Sequence, residues 1–318
     1  MELAIAFAVL SALSMGAVYL IDMAMVGDTY SRPSQPMFVS SVASFLPAPI
    51  LFLLEWSNPP PNAAIVAFAA GVILMVANWL YFAVIFSDAG ESTELACYEN
   101  SSVIVIVLVA IVLTALGRYH DQLSIIHYIG IGIGAIGLWA LALWGEKIEF
   151  VDKRHRMMLI GFMIFAGSYE LLADYAMHLA MLSDKIKTPL QAFVSVTPYF
   201  WIGLATGVIA IAPKQEREAI RENWSNICSK WKWIAAAEMC ALVAFGTMIY
   251  SFTVAHVAVI AMIAGAFPIF VFAGGIILRR YFGFSKDTFP EVVYPKKKTA
   301  AVLATIIGAC LAGFRPGR

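Results

Sequence analysis

The sequence predicts an all-α membrane protein, with ten transmembrane helices arranged as two inverted five-helix repeats. Hydrophobic residues make up 61% of the 318 residues and only 13% are charged, about half the charged share of a soluble domain. Apolar runs of roughly 20 residues recur along the chain, and this is the length at which a helix crosses a bilayer core. Segments of the second half also match segments of the first half in the same order.

Each apolar run ends at a polar or proline-containing segment, such as SNPPPN at 57–62. The first run begins at Leu3 without a basic region before it or a small-residue cleavage site, so we expect a spanning helix rather than a signal peptide. The predicted spans are 2–25, 37–55, 63–86, 92–117, 124–144, 157–182, 189–212, 233–254, 257–280 and 299–314.

The polar segment 213–232 has a helical pattern of its own. Ile220, Trp224, Ile227 and Trp231 fall on one helical face, and charged residues fall elsewhere. This pattern predicts an amphipathic helix at the membrane surface. A solvated loop is the alternative.

Three matches between the halves predict an internal repeat. They pair Asp22 in YLIDMAM with Asp174 in LLADYAM, Tyr81 with Tyr250, and GIGAIG at 132–137 with GACLAG at 308–313. The longer loops of the second half explain why the spacing between matches grows. The halves are 1–146 and 147–318, and because each holds an odd number of spans, they must lie in opposite orientations. Such inverted repeats build secondary transporters, with the substrate site between the repeats.

The later spans resemble a known family. HVAVIAMIAGAFPIFVFAGGIILRR at 256–280 is similar to the fourth-span pattern of EamA-type transporters, with small residues, then Pro268, then an apolar run. TIIGACLAGF at 305–314 is similar to their glycine-bearing last span. The chain therefore resembles the drug/metabolite transporter superfamily. This resemblance implies alternating access and a central cavity lined mainly by spans 1, 3, 4, 6, 8 and 9. The first half differs, because Glu99 and Asn100 stand where the ninth span has Pro268.

Several motifs exclude other functions. The net charge is zero, which argues against nucleic-acid binding. GIGAIG formally matches a dinucleotide fingerprint, but it lies inside an apolar span, where Gly130 and Gly134 favour close helix packing. The cysteines and histidines show no metal-ligand spacing, and Asp22 and Asp174 lack the GxGD context of intramembrane aspartyl proteases. We expect no cofactor, no metal and no enzymatic activity.

The acidic segment SDAGESTELACYENSS at 87–102 contains no basic residue, although it leads into an apolar run. Glu94 lies about one turn inside the predicted fourth span, and Glu99 lies about 10–12 Å inside it at 1.5 Å per residue. Asn100 follows directly. Buried acids are costly in a membrane and usually face protein or water, so we expect this helix to line a hydrated cavity.

The sixth span carries a second acidic stripe. Glu170, Asp174 and His178 are spaced by four residues and share one helical face. Asp22 lies near the end of the first span as Asp174 does near the end of the sixth, so inversion would place the two aspartates nearer opposite membrane faces. We predict gating roles for Asp22, Asp174 and His178. Helix caps or interfacial positions remain the alternative for Asp22, Glu94 and Glu238.

Aromatic residues lie close to these acids in the sequence. They are Trp79, Tyr81, Tyr98, Tyr169 and Tyr250. Aromatic rings beside carboxylates hold ammonium groups by cation–π contacts, although ordinary packing is the alternative for each ring. With Glu94, Glu99, Asn100, Glu170 and Asp174, these residues form the predicted site for substrate binding and proton coupling.

We therefore expect a multi-pass protein of the cell (inner) membrane that moves a small organic solute. An amine or other organic cation exchanged for protons is favoured, because no Lys or Arg lies within the spans to pair with the buried acids. A neutral or zwitterionic metabolite exporter and a lipid-headgroup flippase are the alternatives. The glycine-bearing spans 5 and 10 could pack within one chain or form a homodimer. The loop charges place both termini outside, whereas the resembling family usually has cytoplasmic termini.

Overall fold

A computed structural model describes residues 2–25, 28–54, 58–86, 101–115, 123–143, 153–282 and 295–313. These residues form helices joined by turns and short connections. The helices of the first half are α1 (Glu2–Met25), α2 (Ser34–Phe45), α3 (Pro47–Leu54), α4 (Pro61–Ile85), α5 (Ser102–Ala115) and α6 (Ile125–Leu143). Those of the second half are α7 (Lys153–Met181), α8 (Pro189–Ala205), α9 (Lys214–Ser229), α10 (Trp231–Phe252), α11 (Val257–Ala264), α12 (Phe267–Phe282) and α13 (Pro295–Ala312).

Seven helical segments of the described chain are long and apolar enough to cross a membrane. They are Glu2–Met25, Ser34–Leu54, Pro61–Ile85, Lys153–Met181, Pro189–Ile211, Trp231–Phe252 and Val257–Tyr281. Each corresponds to one of the predicted spans. The described part of the predicted fourth span is α5, and the predicted fifth and tenth spans fall on α6 and α13.

Three of the seven segments contain a local break. Leu46 separates α2 from α3, and a 3₁₀ turn at Thr206–Ile211 extends α8. Gly265 and Ala266 separate α11 from α12, just before Pro268. A proline inside a helix removes one backbone donor and clashes with the preceding turn, which accounts for the break at this point.

Small residues set the closest helix contacts. Ala4, Ala8 and Ala12 of α1 are at most 1% exposed, and α1 packs against α10. Gly71 of α4 and Gly203 of α8 meet where these two helices cross. Between helices that lipid surrounds, small residues let backbones approach closely and gain dispersion contacts.

Helices α6 and α13 pack through glycines. A side chain added at Gly308 would meet Gly134 Cα at 2.5 Å and the carbonyl of Gly130 at 2.6 Å. The prediction that the glycines of GIGAIG serve helix packing is confirmed for Gly134, and the two glycine-bearing helices meet within one chain. The possible homodimer stays a prediction.

Helix α9 lies within the predicted amphipathic segment 213–232. Its Ile220 and Ile227 are 8% and 4% exposed, whereas Trp224 is 49% exposed. Asn223 Nδ2 donates to the carbonyl of Thr29 at 2.7 Å and to Gln35 Oε1 at 2.9 Å. The apolar face predicted to meet lipid is therefore divided, with its isoleucines buried in the protein and its tryptophan outside.

Candidate functional site: an acidic cavity between the helices

Helices α1, α2, α4, α7 and α10 enclose a cavity at the centre of the described structure. Its volume is about 60 Å³ for the centres of water molecules. The side chains that line it and carry polar atoms are Tyr19, Asp22, Ser40, Asn78, Tyr81, Tyr169 and Glu238. The remainder of the wall is apolar and aromatic, and we call this space the acidic cavity.

The pairing of α1 with α10 brings two carboxylates to the acidic cavity. Ser11 Oγ donates to the carbonyl of Ala244 at 2.8 Å, and Ser251 Oγ donates to the carbonyl of Ala4 at 3.2 Å. These bonds fix the two helices as antiparallel. The end of α1, with Asp22, therefore faces the start of α10, with Glu238.

A hydroxyl from another helix holds each carboxylate. Tyr81 of α4 donates from its hydroxyl to Asp22 Oδ2 at 3.1 Å. Ser40 of α2 donates from Oγ to Glu238 Oε1 at 2.6 Å. A carboxylate oxygen accepts more than one hydrogen bond, so both groups keep acceptor capacity for a ligand in the cavity.

Aromatic rings form much of the wall beside the carboxylates. Tyr81 lies 5.1 Å from Tyr19 and 6.1 Å from Phe162, measured between ring centroids. Tyr169 and Phe245 meet edge to face at 6.2 Å. The packing fixes the orientation of these rings, and aromatic faces attract cations.

The acidic cavity carries negative charge without a matching cation. None of the described residues that line it is Lys, Arg or His. Two carboxylates in one low-dielectric space repel each other, so they share a proton, hold water or bind an external cation. Nearby, burial raises the pKa of the Tyr30 hydroxyl well above its usual range, and the charges of Asp22 and Glu238 raise it further. Tyr30 therefore stays neutral and does not compensate them.

A smaller cavity lies next to the acidic one and shares Met15 and Tyr169 with it. Glu170 of α7, 6% exposed, lines this second space together with Ser11 and Ser102. Its volume is about 20 Å³ for the centres of water molecules. We call it the Glu170 cavity.

The structure brings some of the predicted site residues together. Asp22, Tyr81 and Tyr169 line the acidic cavity, and Glu170 and Tyr169 line the Glu170 cavity. Asp174 is buried on α7 but lines neither space.

Other predicted residues lie elsewhere. Trp79 is 38% exposed on α4 and His178 is exposed on α7. Tyr250 packs its ring against Phe7 and Phe193, at centroid distances of 5.3 and 5.7 Å. The predictions on Glu94, Tyr98, Glu99 and Asn100 lie outside the described residues.

Sequence reasoning missed two members of the acidic cavity. Glu238 fits a helix cap or an interfacial position equally well, because it stands one to two turns from Trp231. Ser40 had no signal at all. Only an expected contact between the first, second and eighth spans could have joined Ser40 and Glu238, which are 198 residues apart.

Comparisons with known proteins show the fold alone. No protein-family model matches this chain. No curated protein matches its sequence. A solved structure described only as a crystal structure of a protein is similar, with a TM-score of 0.62 and 13% sequence identity over 96% of each chain. At that identity the likeness concerns the arrangement of the helices and not what the protein binds.

Proposed function

We propose that this chain is a secondary transporter that moves a small organic cation across a membrane by alternating access, in exchange for protons. The acidic cavity carries this proposal. It combines Asp22 and Glu238 with aromatic walls, and none of its described lining residues is basic. A positively charged solute supplies the charge that this space lacks.

An ammonium group fits the chemistry of the cavity. In this proposal the cation lies between Asp22 and Glu238, and the rings of Tyr19, Tyr81 and Tyr169 contact its alkyl groups. A volume of about 60 Å³ holds roughly four to six water-sized atoms, at about 10–15 Å³ each. The substrate is therefore a very small ammonium ion, unless the cavity widens in another state of the cycle.

Proton exchange follows from the same two acids. With the cation bound, both carboxylates are ionised and neutralise it. After the cation leaves, a proton on the pair reduces the repulsion between the two buried carboxylates. Glu99, Glu170 and Asp174 remain the residues that the sequence predicts for proton coupling.

Ten spans in two inverted halves form part of the proposal. α1 packs on α10, and α4 packs on α7. A repeat that relates α1 to α7 and α4 to α10 exchanges these two pairs, and the pair of α6 and α13 maps onto itself. This packing supports the inverted repeat, membership of the drug/metabolite transporter superfamily, and a place in the cell (inner) membrane.

Tetramethylammonium suits a direct test, because it has five heavy atoms, a permanent charge and little ability to cross lipid alone. The purified full chain is reconstituted in liposomes with an acidic interior, and uptake of the labelled ion is measured. We expect uptake driven by the proton gradient. Empty liposomes and dissipation of the gradient should abolish it.

Variants locate the site in the same assay. Asp22→Asn and Glu238→Gln should each reduce uptake at least tenfold, whereas Glu222→Gln, on the exposed face of α9, should not. Uptake by both cavity variants at the wild-type rate would contradict the proposed site. In that case loss of uptake in Glu99→Gln would move the site to the fourth span.

A further inference from the structure

The Glu170 cavity borders the break in the ninth span. Its lining includes Ala261, Ala264 and Gly265, at the end of α11, and Phe267, at the start of α12. Ser11 of α1 and Ser102 of α5 contribute hydroxyls, and Glu170 contributes the carboxylate. Four separate helices thus place oxygen atoms around one small space.

The break supplies further oxygen atoms. Pro268 has no N–H to give the carbonyl of Ala264, four residues before it. Around the break, the N–H of Gly265 donates to Ala261, that of Ala266 donates to Ile263, and that of Ile269 donates to Ala266. None of these bonds satisfies the carbonyls of Ala264 and Gly265, and unwound backbone of this kind coordinates cations in transporters.

Size and charge restrict the occupant. A volume of about 20 Å³ holds roughly one water-sized body. All the donors are oxygen atoms, which favours a hard metal ion over a soft one. Glu170 is the one acid among the described lining residues, so its charge balances a single positive charge.

We propose that the Glu170 cavity binds one sodium ion. The ion contacts the Glu170 carboxylate, the hydroxyls of Ser11 and Ser102, and carbonyls freed at the break between α11 and α12. This site is separate from Asp22 and Glu238 and does not depend on the proposed transport of an organic cation. Because Tyr169 and Met15 border both spaces, the ion also orders one wall of the acidic cavity.

Thermal unfolding of the full chain in detergent tests the proposal. Unfolding temperatures are compared in NaCl, KCl and choline chloride at equal ionic strength. A ligand that binds only the folded state stabilises it, so we expect sodium to raise the unfolding temperature by at least about 2 °C over potassium and choline. Equal temperatures in all three salts would overturn the site and assign the cavity to a buried water molecule.

Two variants make the test specific. Glu170→Gln should lose the sodium response, whereas Glu238→Gln, in the neighbouring cavity, should keep it. A sodium response retained in Glu170→Gln would also overturn the proposal. If Glu170→Gln fails to fold, saturable binding of labelled sodium is measured in Ser102→Ala. An affinity reduced severalfold supports the site, and an unchanged affinity refutes it. A sodium response without tetramethylammonium transport would refute the proposed function alone.

Discussion

At Asp22 and Glu238, one hydroxyl donor fixes each carboxylate without using all of its acceptor capacity. The donors come from α4 and α2, which are different from the helices that carry the acids. Hydrogen bonds to charged groups contribute about 1.5–3 kcal/mol each. The hydroxyls therefore hold the carboxylates in position while leaving oxygen atoms free to meet a cation.

Replacing Tyr81 with phenylalanine removes the hydroxyl that donates to Asp22 and keeps the ring. We expect Tyr81→Phe to bind tetramethylammonium roughly tenfold more weakly, since loss of about 1.5 kcal/mol of ionised-state stabilisation corresponds to that factor. Isothermal titration calorimetry on the detergent-solubilised protein measures the affinity.

Tyr250 offers the matched control. Its ring packs on Phe7 and Phe193, away from the acidic cavity, so Tyr250→Phe should leave the affinity within twofold of wild type. Equal weakening by the two variants would indicate a general packing defect. No weakening by Tyr81→Phe would show that its hydroxyl does not support binding.

The sequence predicted the kind of residue in the site better than its members. Asp22 and Tyr81 were identified through the internal repeat, and Glu170 through its helical spacing with Asp174. Glu238 was ambiguous because its distance from the span end does not distinguish a helix cap from a cavity residue. The contact that resolves it comes from tertiary packing of α2 on α10.

At the level of elements, glycines decide how closely α6 and α13 approach. A methyl group at Gly308 would lie 2.5 Å from Gly134 Cα, and backbone atoms on both sides prevent easy relaxation. We predict that Gly308→Ala destabilises the protein by about 1–3 kcal/mol through overpacking. Unfolding by increasing denaturing detergent measures the change.

Gly132 provides the control on the same helix, because a methyl group there meets nothing within 4 Å. Gly132→Ala should be neutral or stabilising by up to about 1 kcal/mol through helix propensity. If Gly308→Ala proved as harmless as Gly132→Ala, the close contact between α6 and α13 would not contribute to stability.

Helix α9 is fastened to the connection between α1 and α2. Arg32 forms an ion pair with Glu216 at 3.2 Å, Ser34 donates to Glu216 at 2.5 Å, and Asn223 donates to Thr29 and Gln35. The helical pattern of 213–232 predicted the element. Its docking could not be predicted, because the polar partners on residues 29–35 have no periodic signature.

Asn223→Ala removes two hydrogen bonds from this contact. We expect backbone amides of α9 to exchange hydrogen roughly tenfold faster, since buried groups left without a partner cost about 1–3 kcal/mol and local opening sets exchange. Mass spectrometry of exchange over 214–229 measures it. Glu222→Ala, at an exposed neighbouring position, should exchange at the wild-type rate, and equal protection in both variants would argue against the docking role of Asn223.

For the whole molecule, ten spans place both termini on one side of the membrane. The hydropathy pattern predicted all seven long segments that the described structure contains. It gave conflicting evidence on orientation, because loop charges and family resemblance disagree. A side-specific reporter fused in turn to the N- and C-terminus tests the span number. We expect both fusions to report the same side, and opposite sides would contradict an even number of spans.

Proton release on cation binding tests most directly whether one acidic cavity exchanges protons for an organic cation. Tetramethylammonium is added to the detergent-solubilised chain in a weakly buffered solution that contains a pH indicator. We expect release of up to about one proton per bound cation, none with the neutral and similarly shaped tert-butanol, and loss of the signal in Asp22→Asn and Glu238→Gln. Binding of the cation without proton release, or release that persists in both variants, would contradict exchange at these two carboxylates.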